Sequence, residues 1–352
     1  MPENTDSKRT EISSMGEFGL IHHLTKDFPI HHEASKTAIG DDAAVLEYPG
    51  GHQTLISTDL LLEGVHFDLA WMPLLHLGYK AVAVNLSDIA AMNAIPKQIL
   101  VSIGISNRFS VEALEELFKG IRAACEKYKI DLIGGDTSSS AAGLSISVTV
   151  IGTSRPEQIV HRGGAHVNDL ICVTGDLGAA YAGLLILQRE KKTFEANPNF
   201  QPDLTNYERV VGRQLKPEPR LDMIEFFAKK NIQPTSMIDI SDGLASELFH
   251  IAKSSECGIT VYEDKIPIDV HTGMVAEEFD LPIMVPALNG GEDYELLFTL
   301  GLDDYERIKE DEEISIIGHI SDKSEGINLI NKAGQSIKLK AQGWDSFNQE
   351  KK

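Results

Sequence analysis

No stretch of this 352-residue chain stays apolar for anything near the ~20 residues that cross a bilayer, so a membrane-spanning role has no segment to carry it. Met1–Ser14 lacks the hydrophobic run of a secretory signal and reads as a disordered tail, and the expected location is the cytoplasm. Cysteine is scarce. Cys125, Cys172 and Cys257 form an odd set without metal-ligand spacing, which fits buried thiols in a reducing compartment better than a disulfide scaffold. Positive charge is also short: 32 Lys and Arg face 53 Asp and Glu, for a net charge of −21. Such a chain repels nucleic acid and anionic membranes, and neither is expected as a partner. There is no Gly-x-x-x-x-Gly-Lys-Ser/Thr loop, no protein-kinase catalytic set and no EF-hand pattern. The basic residues near the acidic segments are few: Lys80, His66 and Arg162. If a nucleotide binds here, its phosphates must be held chiefly through cations.

A hydrophobic content of 42% is enough for a substantial core, and the length suggests two domains. The expected organisation is a tail over 1–14, a first domain over 15–154, a second over 155–347 and a tail over 348–352. In the first domain the pattern predicts a helix over Gly16–Asp27 and strands at Ala43–Glu47 and Gln53–Thr58. An alanine-rich apolar helix follows at Leu77–Met92, then a strand at Lys97–Ile105. Ser110 is a good N-cap for an amphipathic helix running to about Lys129, and strands close the unit at Ile130–Ile133 and Leu144–Gly152. In the second domain strands are expected at Asp169–Thr174, Met237–Ile240, Tyr294–Thr299, Ile314–Gly318 and Gly326–Ile330. Helices are expected at Leu177–Gln188, Pro217–Lys230 and Leu244–Ser255, the last ended by Gly258. Lys191–Asn206, polar and carrying Pro198 and Pro202, reads as a mobile loop. The class is α/β of the mixed α+β kind, without the regular βαβ cadence of a Rossmann fold.

Five segments place a carboxylate beside a hydroxyl or a glycine: Gly40-Asp41-Asp42, Ser57-Thr58-Asp59, Asn85-Leu86-Ser87-Asp88, Gly134-Gly135-Asp136-Thr137 and Asp239-Ile240-Ser241-Asp242-Gly243. Each alone is weak, since Asp-Gly is commonly a turn and Ser or Asp commonly caps a helix. Asp88 stands out because Leu86, Ile89 and Ala90 make its helix face largely apolar, and a carboxylate there needs a partner. Mg²⁺ takes hard oxygen ligands, usually carboxylates supplemented by water and substrate phosphate. Should these loops converge, their mutual repulsion requires bound cations to neutralise it.

The motifs follow in an order that resembles the thiamine-monophosphate kinase family. They are Gly40-Asp41-Asp42, Ser57-Thr58-Asp59, Glu63-Gly64-Val65-His66-Phe67, Asn85 to Met92, Gly134-Gly135-Asp136-Thr137, Asp239 to Leu244, and Gly290-Gly291-Glu292-Asp293-Tyr294-Glu295-Leu296. The similarity runs from about Gly16 to Phe347. The broader superfamily, typified by aminoimidazole ribonucleotide synthetase, shares ATP binding through acidic loops. The resemblance implies a two-domain aminoimidazole ribonucleotide synthetase-like fold whose N-terminal sheets pair into a barrel in a homodimer. It implies transfer of the ATP γ-phosphoryl group to thiamine monophosphate, giving thiamine diphosphate and ADP, with several Mg²⁺ ions. Residue by residue, Asp42, Ser57, Thr58, Asp59, Asp88, Asp136, Asp239 and Asp242 fall on metal-ligand positions. Gly135, Asp136, Arg162 and Ser241 fall on ATP-contact positions, and His66, Glu292 and Trp344 on substrate-contact positions. Asn93 stands where glycine is usual in the family, and asparagine tolerates the left-handed backbone such a turn needs. The Lys191–Asn206 segment is longer than the resemblance implies and has no assigned role.

The chemistry expected is direct in-line transfer with the phosphates bridged by Mg²⁺ on Asp42, Asp59, Asp88, Asp136 and Asp239. The acceptor is an already ionised phosphate oxygen, so no general base is required. Two other readings stand beside it. One is a sister ATP-dependent synthetase, although selenophosphate synthetase needs a reactive residue near its N-terminus and the first cysteine here is Cys125. The other is a non-catalytic acidic metal-binding protein.

Overall fold

The structure, a computed structural model, describes residues 34–37, 40–47, 50–199 and 201–340. The Gly16–Asp27 helix, both tails and Trp344 lie outside these residues.

The first sheet takes six strands in the order β1-β2-β3-β6-β4-β5. These are β1 (Ser35–Thr37), β2 (Ala44–Glu47), β3 (Gln53–Leu62), β4 (Ile95–Ile105), β5 (Asp131–Ser139) and β6 (Leu144–Ser154). Strand β6 alternates strictly, with Leu144, Ile146, Val148 and Val150 buried and Ser145, Ser147 and Thr149 on the other face. Helix α1 (Leu74–Ala91) packs on the buried face, and α2 (Val111–Tyr128) packs on α1. Ser110 caps α2 by accepting from the Ala113 amide at 3.3 Å. The backbones of α1 and α2 touch. A Cβ on Gly78 would lie 2.0 Å from the Leu117 carbonyl oxygen, and one on Gly120 1.9 Å from that of Leu75. Asn93, just past α1, holds φ at 52°, the left-handed turn expected of it.

The second sheet has seven strands in the order β13-β12-β9-β11-β7-β10-β8. In chain order they are β7 (Leu170–Thr174), β8 (Ser236–Asp239), β9 (Gly258–Tyr262), β10 (Leu296–Leu300), β11 (Ile314–Ser321), β12 (Ile327–Ile330) and β13 (Ser336–Lys338). Its central strands are buried on both faces, so they read as continuous apolar runs. Ile171, Val173, Ile238 and Leu297 face one core with α6 (Leu244–Ser255), whereas Cys172, Met237, Leu296 and Phe298 face another with α5 (Asp222–Lys230). Helices α3 (Ala179–Ala196), α4 (Glu208–Leu215), α7 (Val270–Glu278), α8 (Met284–Asn289) and the short α9 (Tyr305–Ile308) also belong to this half. Ala91 at the end of α1 joins the core that contains Phe227 and Phe298, so α1 lines the seam between the halves. The mixed α/β class is as expected. Among the described residues no helix is long and apolar enough to cross a membrane.

The differences from expectation have local causes. The Gly134-Gly135-Asp136-Thr137 segment is not a loop but the middle of β5, paired in parallel with Val101, Ser102 and Ile103. Strand β5 is exposed along its whole length, so it carries none of the apolar alternation that marks a strand. Residues Lys191–Ala196 continue α3 instead of opening a loop. Helix α5 begins at Asp222, because Pro217 and Pro219 remove amide donors and push their predecessors to extended backbone. Helix α6 stops on Glu256, left-handed at φ 53°, and Gly258 opens β9. The short strand β9 and helices α4, α7 and α8 had no expectation. α8 contains Pro286, and the exposed Val270 and Met274 blur the stripe of α7.

The α1–α2 contact makes a prediction whose sign separates packing from propensity. Gly120→Ala should gain up to ~1 kcal/mol from helix propensity, yet overpacking costs about 1–3 kcal/mol. A lower urea midpoint is expected, and a raised one contradicts the close crossing.

Candidate active site

Three carboxylates from distant parts of the chain meet at the seam. Asp42 comes from the turn before β2, Asp88 from the last turn of α1, and Asp239 from the end of β8. One oxygen of each lies within 4.8 Å of the others. Strand ends and a helix terminus bring them there because β8 runs alongside α1. Ser57 on β3 donates to Asp88 at 2.5 Å. The neighbouring Asp59 amide donates to the Asn85 side chain at 3.2 Å, and Asn85 in turn donates to the Ala81 carbonyl at 2.9 Å. Asn85 thus clamps β3 to α1 and sets Asp59 beside the cluster.

The electrostatics follow from burial and crowding. Burial, and then the charges of Asp59, Asp239 and Asp42, hold the Asp88 carboxyl well above the usual carboxylate range. Asp239 is pushed up to about 7 by burial first, with the Asp42 charge adding to it. Burial raises Asp59 to about 6. Asp42 is raised by burial too, against the pull of Arg162. Four acidic groups that resist ionisation together, with a hydroxyl ligand beside them, form a hard-oxygen donor set that fits Mg²⁺.

Arg162 sits on this set. Its Nε and terminal nitrogen bond the two Asp42 oxygens at 3.1 and 2.6 Å, and its amide donates to Asp41 at 3.4 Å. His161 pairs with Asp41 at 3.1 Å, a hydrogen bond that raises its pKa. Ser241 and Asp242 form the turn into α6 behind Gly243, which adopts φ 104°. The Asp242 amide donates to Glu247 at 3.0 Å. Glu247 is a residue the sequence reading missed. It is buried, held well above its usual pKa by burial and then by the Asp242 charge. Its signal was a carboxylate on the buried stripe of Leu244, Leu248 and Ile251.

Glu292 stands on a second, rigid loop. Its amide donates to the Ser241 carbonyl at 2.7 Å and the Tyr294 amide to the Ile240 carbonyl at 2.9 Å, tying this loop to the one that begins at Asp239. Both residues hold left-handed backbone, φ 59° and 53°, which costs a non-glycine residue about 1–3 kcal/mol. Neighbouring carboxylates hold that conformation. Asp293 accepts from the Gly178 and Ala180 amides at the start of α3, and Glu295 takes Arg213, Arg220 and Thr174. Across the seam, Lys80 of α1 pairs with Glu292 at 2.9 Å and Gln214 of α4 donates to it at 2.6 Å.

The other expected residues lie elsewhere. The Nδ1 atom of His66 accepts from the Leu62 amide at 2.9 Å, which leaves the proton of a neutral ring on Nε2. The Thr58 hydroxyl points to the opposite face of β3 and bonds the Val148 carbonyl at 3.1 Å. Gly135 and Asp136 lie on exposed β5, three strands from β3. At ~4.8 Å per strand that is roughly 14 Å along the sheet. Within one copy the fold does not bring Asp136 into the three-carboxylate cluster.

Comparison with known proteins gives a consistent picture. A family model described as AIR synthase related protein, N-terminal domain, matches residues 40–154. The thiamine-monophosphate kinase of Bacillus subtilis is 36% identical over 343 residues, covering 95% of this chain and all of that protein. That of Aquifex aeolicus is 34% identical, covering 96% and 99%. A solved structure, AaThiL complexed with AMPPCP and TMP, superposes with a TM-score of 0.82 at 32% identity, covering 96% of this chain and 99% of its own.

The crowded carboxylates make a stability prediction. Their folded pKa values lie above the ordinary 3.8, so between about pH 4 and 7 the folded state binds more protons than the unfolded one. Stability from these groups therefore falls as pH rises through that window. Asp88→Asn removes one member. In EDTA at pH 7.5 it should melt above wild type, with the gap shrinking toward pH 5. In saturating Mg²⁺ the order should reverse. A variant that melts below wild type under both conditions contradicts this account of the cluster.

Proposed function

The chain belongs to the thiamine-monophosphate kinase family, and from that premise we propose that it transfers the γ-phosphoryl group of ATP to thiamine monophosphate, releasing thiamine diphosphate and ADP. The observation that carries this reading is the direct bonding of two loops. The loop from Asp239, with its phosphate-competent carboxylate cluster, and the loop of Glu292 are joined by a 2.7 Å backbone hydrogen bond. A substrate with a phosphate at one end and a cationic ring at the other matches that pairing.

Several Mg²⁺ ions would be held by Asp42, Asp59, Asp88 and Asp239, with Ser57 and Asp242 beside them, whereas the Thr58 hydroxyl bonds the Val148 carbonyl on the opposite face of β3. Bound there, Mg²⁺ supplies charge neutralisation and a template for phosphate oxygens. Arg162 is the one guanidinium beside the cluster among the described residues, suited to an ATP phosphate, and Ser241 borders the same loop. His66 and Glu292 are the substrate contacts on this reading, with the Glu292 carboxylate matched to the cationic ring; Trp344, outside the described residues, is assigned to stack on that ring by its place in the family motifs alone. No side chain needs to take a proton from the acceptor, because a phosphate oxygen is ionised already.

A division into domains over 15–154 and 155–347 is supported by the two sheets, whose strands lie within 35–154 and 170–338. A homodimer fits the first of them. Strand β5 presents an exposed edge on which Leu132 and Ile133 are 45% and 57% exposed. Leu60 on β3 is 54% exposed as well. Pairing with a second copy covers them, and it carries Asp136 and Gly135 toward a ligand that one copy alone does not reach. The free thiols of Cys125, Cys172 and Cys257 agree with a cytoplasmic protein.

Incubation with ATP, Mg²⁺ and thiamine monophosphate should yield thiamine diphosphate on chromatography. Turnover of ATP with a different acceptor alone contradicts the proposal. Asp88→Asn and Asp136→Asn should each lose at least about 100-fold in kcat while keeping a cooperative melt. Near-normal kcat at saturating Mg²⁺ removes Asp88 from the metal ligands or, for the other variant, Asp136 from any contact with metal or nucleotide. Ile133→Asp should sediment as a monomer, and an unshifted dimer rules out the β5 interface.

A further inference from the structure

Lys80 touches neither the carboxylate cluster nor Arg162, yet it is only 2% exposed, a burial rare for an ammonium. We propose that Lys80 is a positioning residue for substrate: it fixes the Glu292 carboxylate relative to the metal-bearing end of its own helix, and so sets the spacing between the cationic-ring end and the phosphate end of the bound substrate. This deepens the reading of Glu292 as a substrate contact and rests on it.

The ammonium makes two contacts across the seam, pairing with Glu292 Oε1 at 2.9 Å and donating to the Gln214 carbonyl at 3.0 Å. Among the described residues Glu292 is its one carboxylate partner. Buried to this degree, Nζ does not reach a ligand in the cleft, so any effect it has on substrate passes through Glu292. That carboxylate is held on both oxygens, by Lys80 on Oε1 and by the Gln214 amide on Oε2 at 2.6 Å. An ionised carboxylate has about four acceptor positions. Two are used on the protein side, and the Glu292 side chain remains 30% exposed to present the rest.

Helix α1 joins the two ends of the substrate. Lys80 and Asp88 lie eight residues apart on it, a span of ~12 Å at 1.5 Å per residue. Asn85, between them, clamps Asp59. One rigid helix therefore carries a cation that anchors the ring-binding carboxylate and a carboxylate that belongs to the phosphate-binding cluster. The backbone bond from Glu292 to Ser241 fixes the loop, and Lys80 fixes the rotamer.

Steady-state kinetics on the full chain test the proposal. Lys80→Gln keeps a donor for the Gln214 carbonyl and removes the charge. It should raise KM for thiamine monophosphate at least about tenfold while KM for ATP stays within about twofold. Glu292→Gln should show the same split, and the double variant should be no worse than Glu292→Gln alone, because Lys80 acts through Glu292. Lys80→Arg keeps the charge with a different reach and should fall between wild type and Lys80→Gln. Equal rises in both KM values, or additive effects in the double variant, make Lys80 a structural clamp and overturn the proposal. If Glu292→Gln raises KM and Lys80→Gln does not, the Lys80 role alone falls. If Glu292→Gln leaves KM for thiamine monophosphate unchanged, the substrate-contact reading falls and this inference with it. Should Lys80→Gln fail to fold, Lys80→Arg decides, since an unchanged KM there is equally contradictory.

Discussion

Carboxylates that repel one another are packed together at the seam of this protein, and much else in the structure serves to hold them there. Left to themselves, Asp42, Asp88 and Asp239 would separate or take up protons, since a charge inside a protein is costly unless paired. The fold prevents separation by placing each on a different rigid element: the entry to β2, the last turn of α1 and the end of β8. Protonation is what remains, and it appears as raised pKa values at Asp59, Asp88 and Asp239. A divalent cation removes both penalties at once. The scarcity of basic residues around the site has the same logic. A lysine-rich site would satisfy the carboxylates permanently and leave no reason to bind metal.

The arrangement also explains why the chemistry needs two half-molecules. Strand β3 and helix α1 supply the first carboxylates, β8 supplies the last, and the Glu292 loop is bonded through its backbone to Ile240 and Ser241, just beyond β8. Strain at Glu292 and Tyr294 is held by Asp293 on the start of α3 and by Glu295 on Arg213 and Arg220. Asp293 and Glu295 are buried and bond partners within the second half. They hold one loop geometry instead of adding bulk stability, and Lys80 extends that network across to α1.

Much of this was legible in the sequence, and for definable reasons. The long apolar helix α1, the alternating strand β6 and the Ser110 cap carry strong local signals, because their burial pattern repeats within a few residues. The aspartate motifs were visible as residue types at strand ends, whereas their convergence was not, since it depends on β8 meeting α1 across more than a hundred residues of chain. Strand β5 was expected only as far as Ile133, because its continuation through Gly134, Gly135, Asp136, Thr137 and two serines is exposed and has no apolar face to bury. Arg162 showed as a cation near glycine, but only coordinates reveal that its guanidinium lies on Asp42. Glu247 carried the same signal as Asp88, a carboxylate on an apolar helix stripe, and was overlooked. The pairing of Lys80 and Gln214 with Glu292 was hidden, because it joins residues more than seventy positions apart in the chain.

Carboxylates that share protons near neutral pH must surrender them when metal binds. Calorimetric titration with Mg²⁺ in buffers of different ionisation enthalpy measures that exchange directly. The account predicts net proton release on binding, larger at pH 6.5 than at pH 8.5, because ligands must be deprotonated to coordinate. Binding heats that do not depend on the buffer at either pH would contradict it.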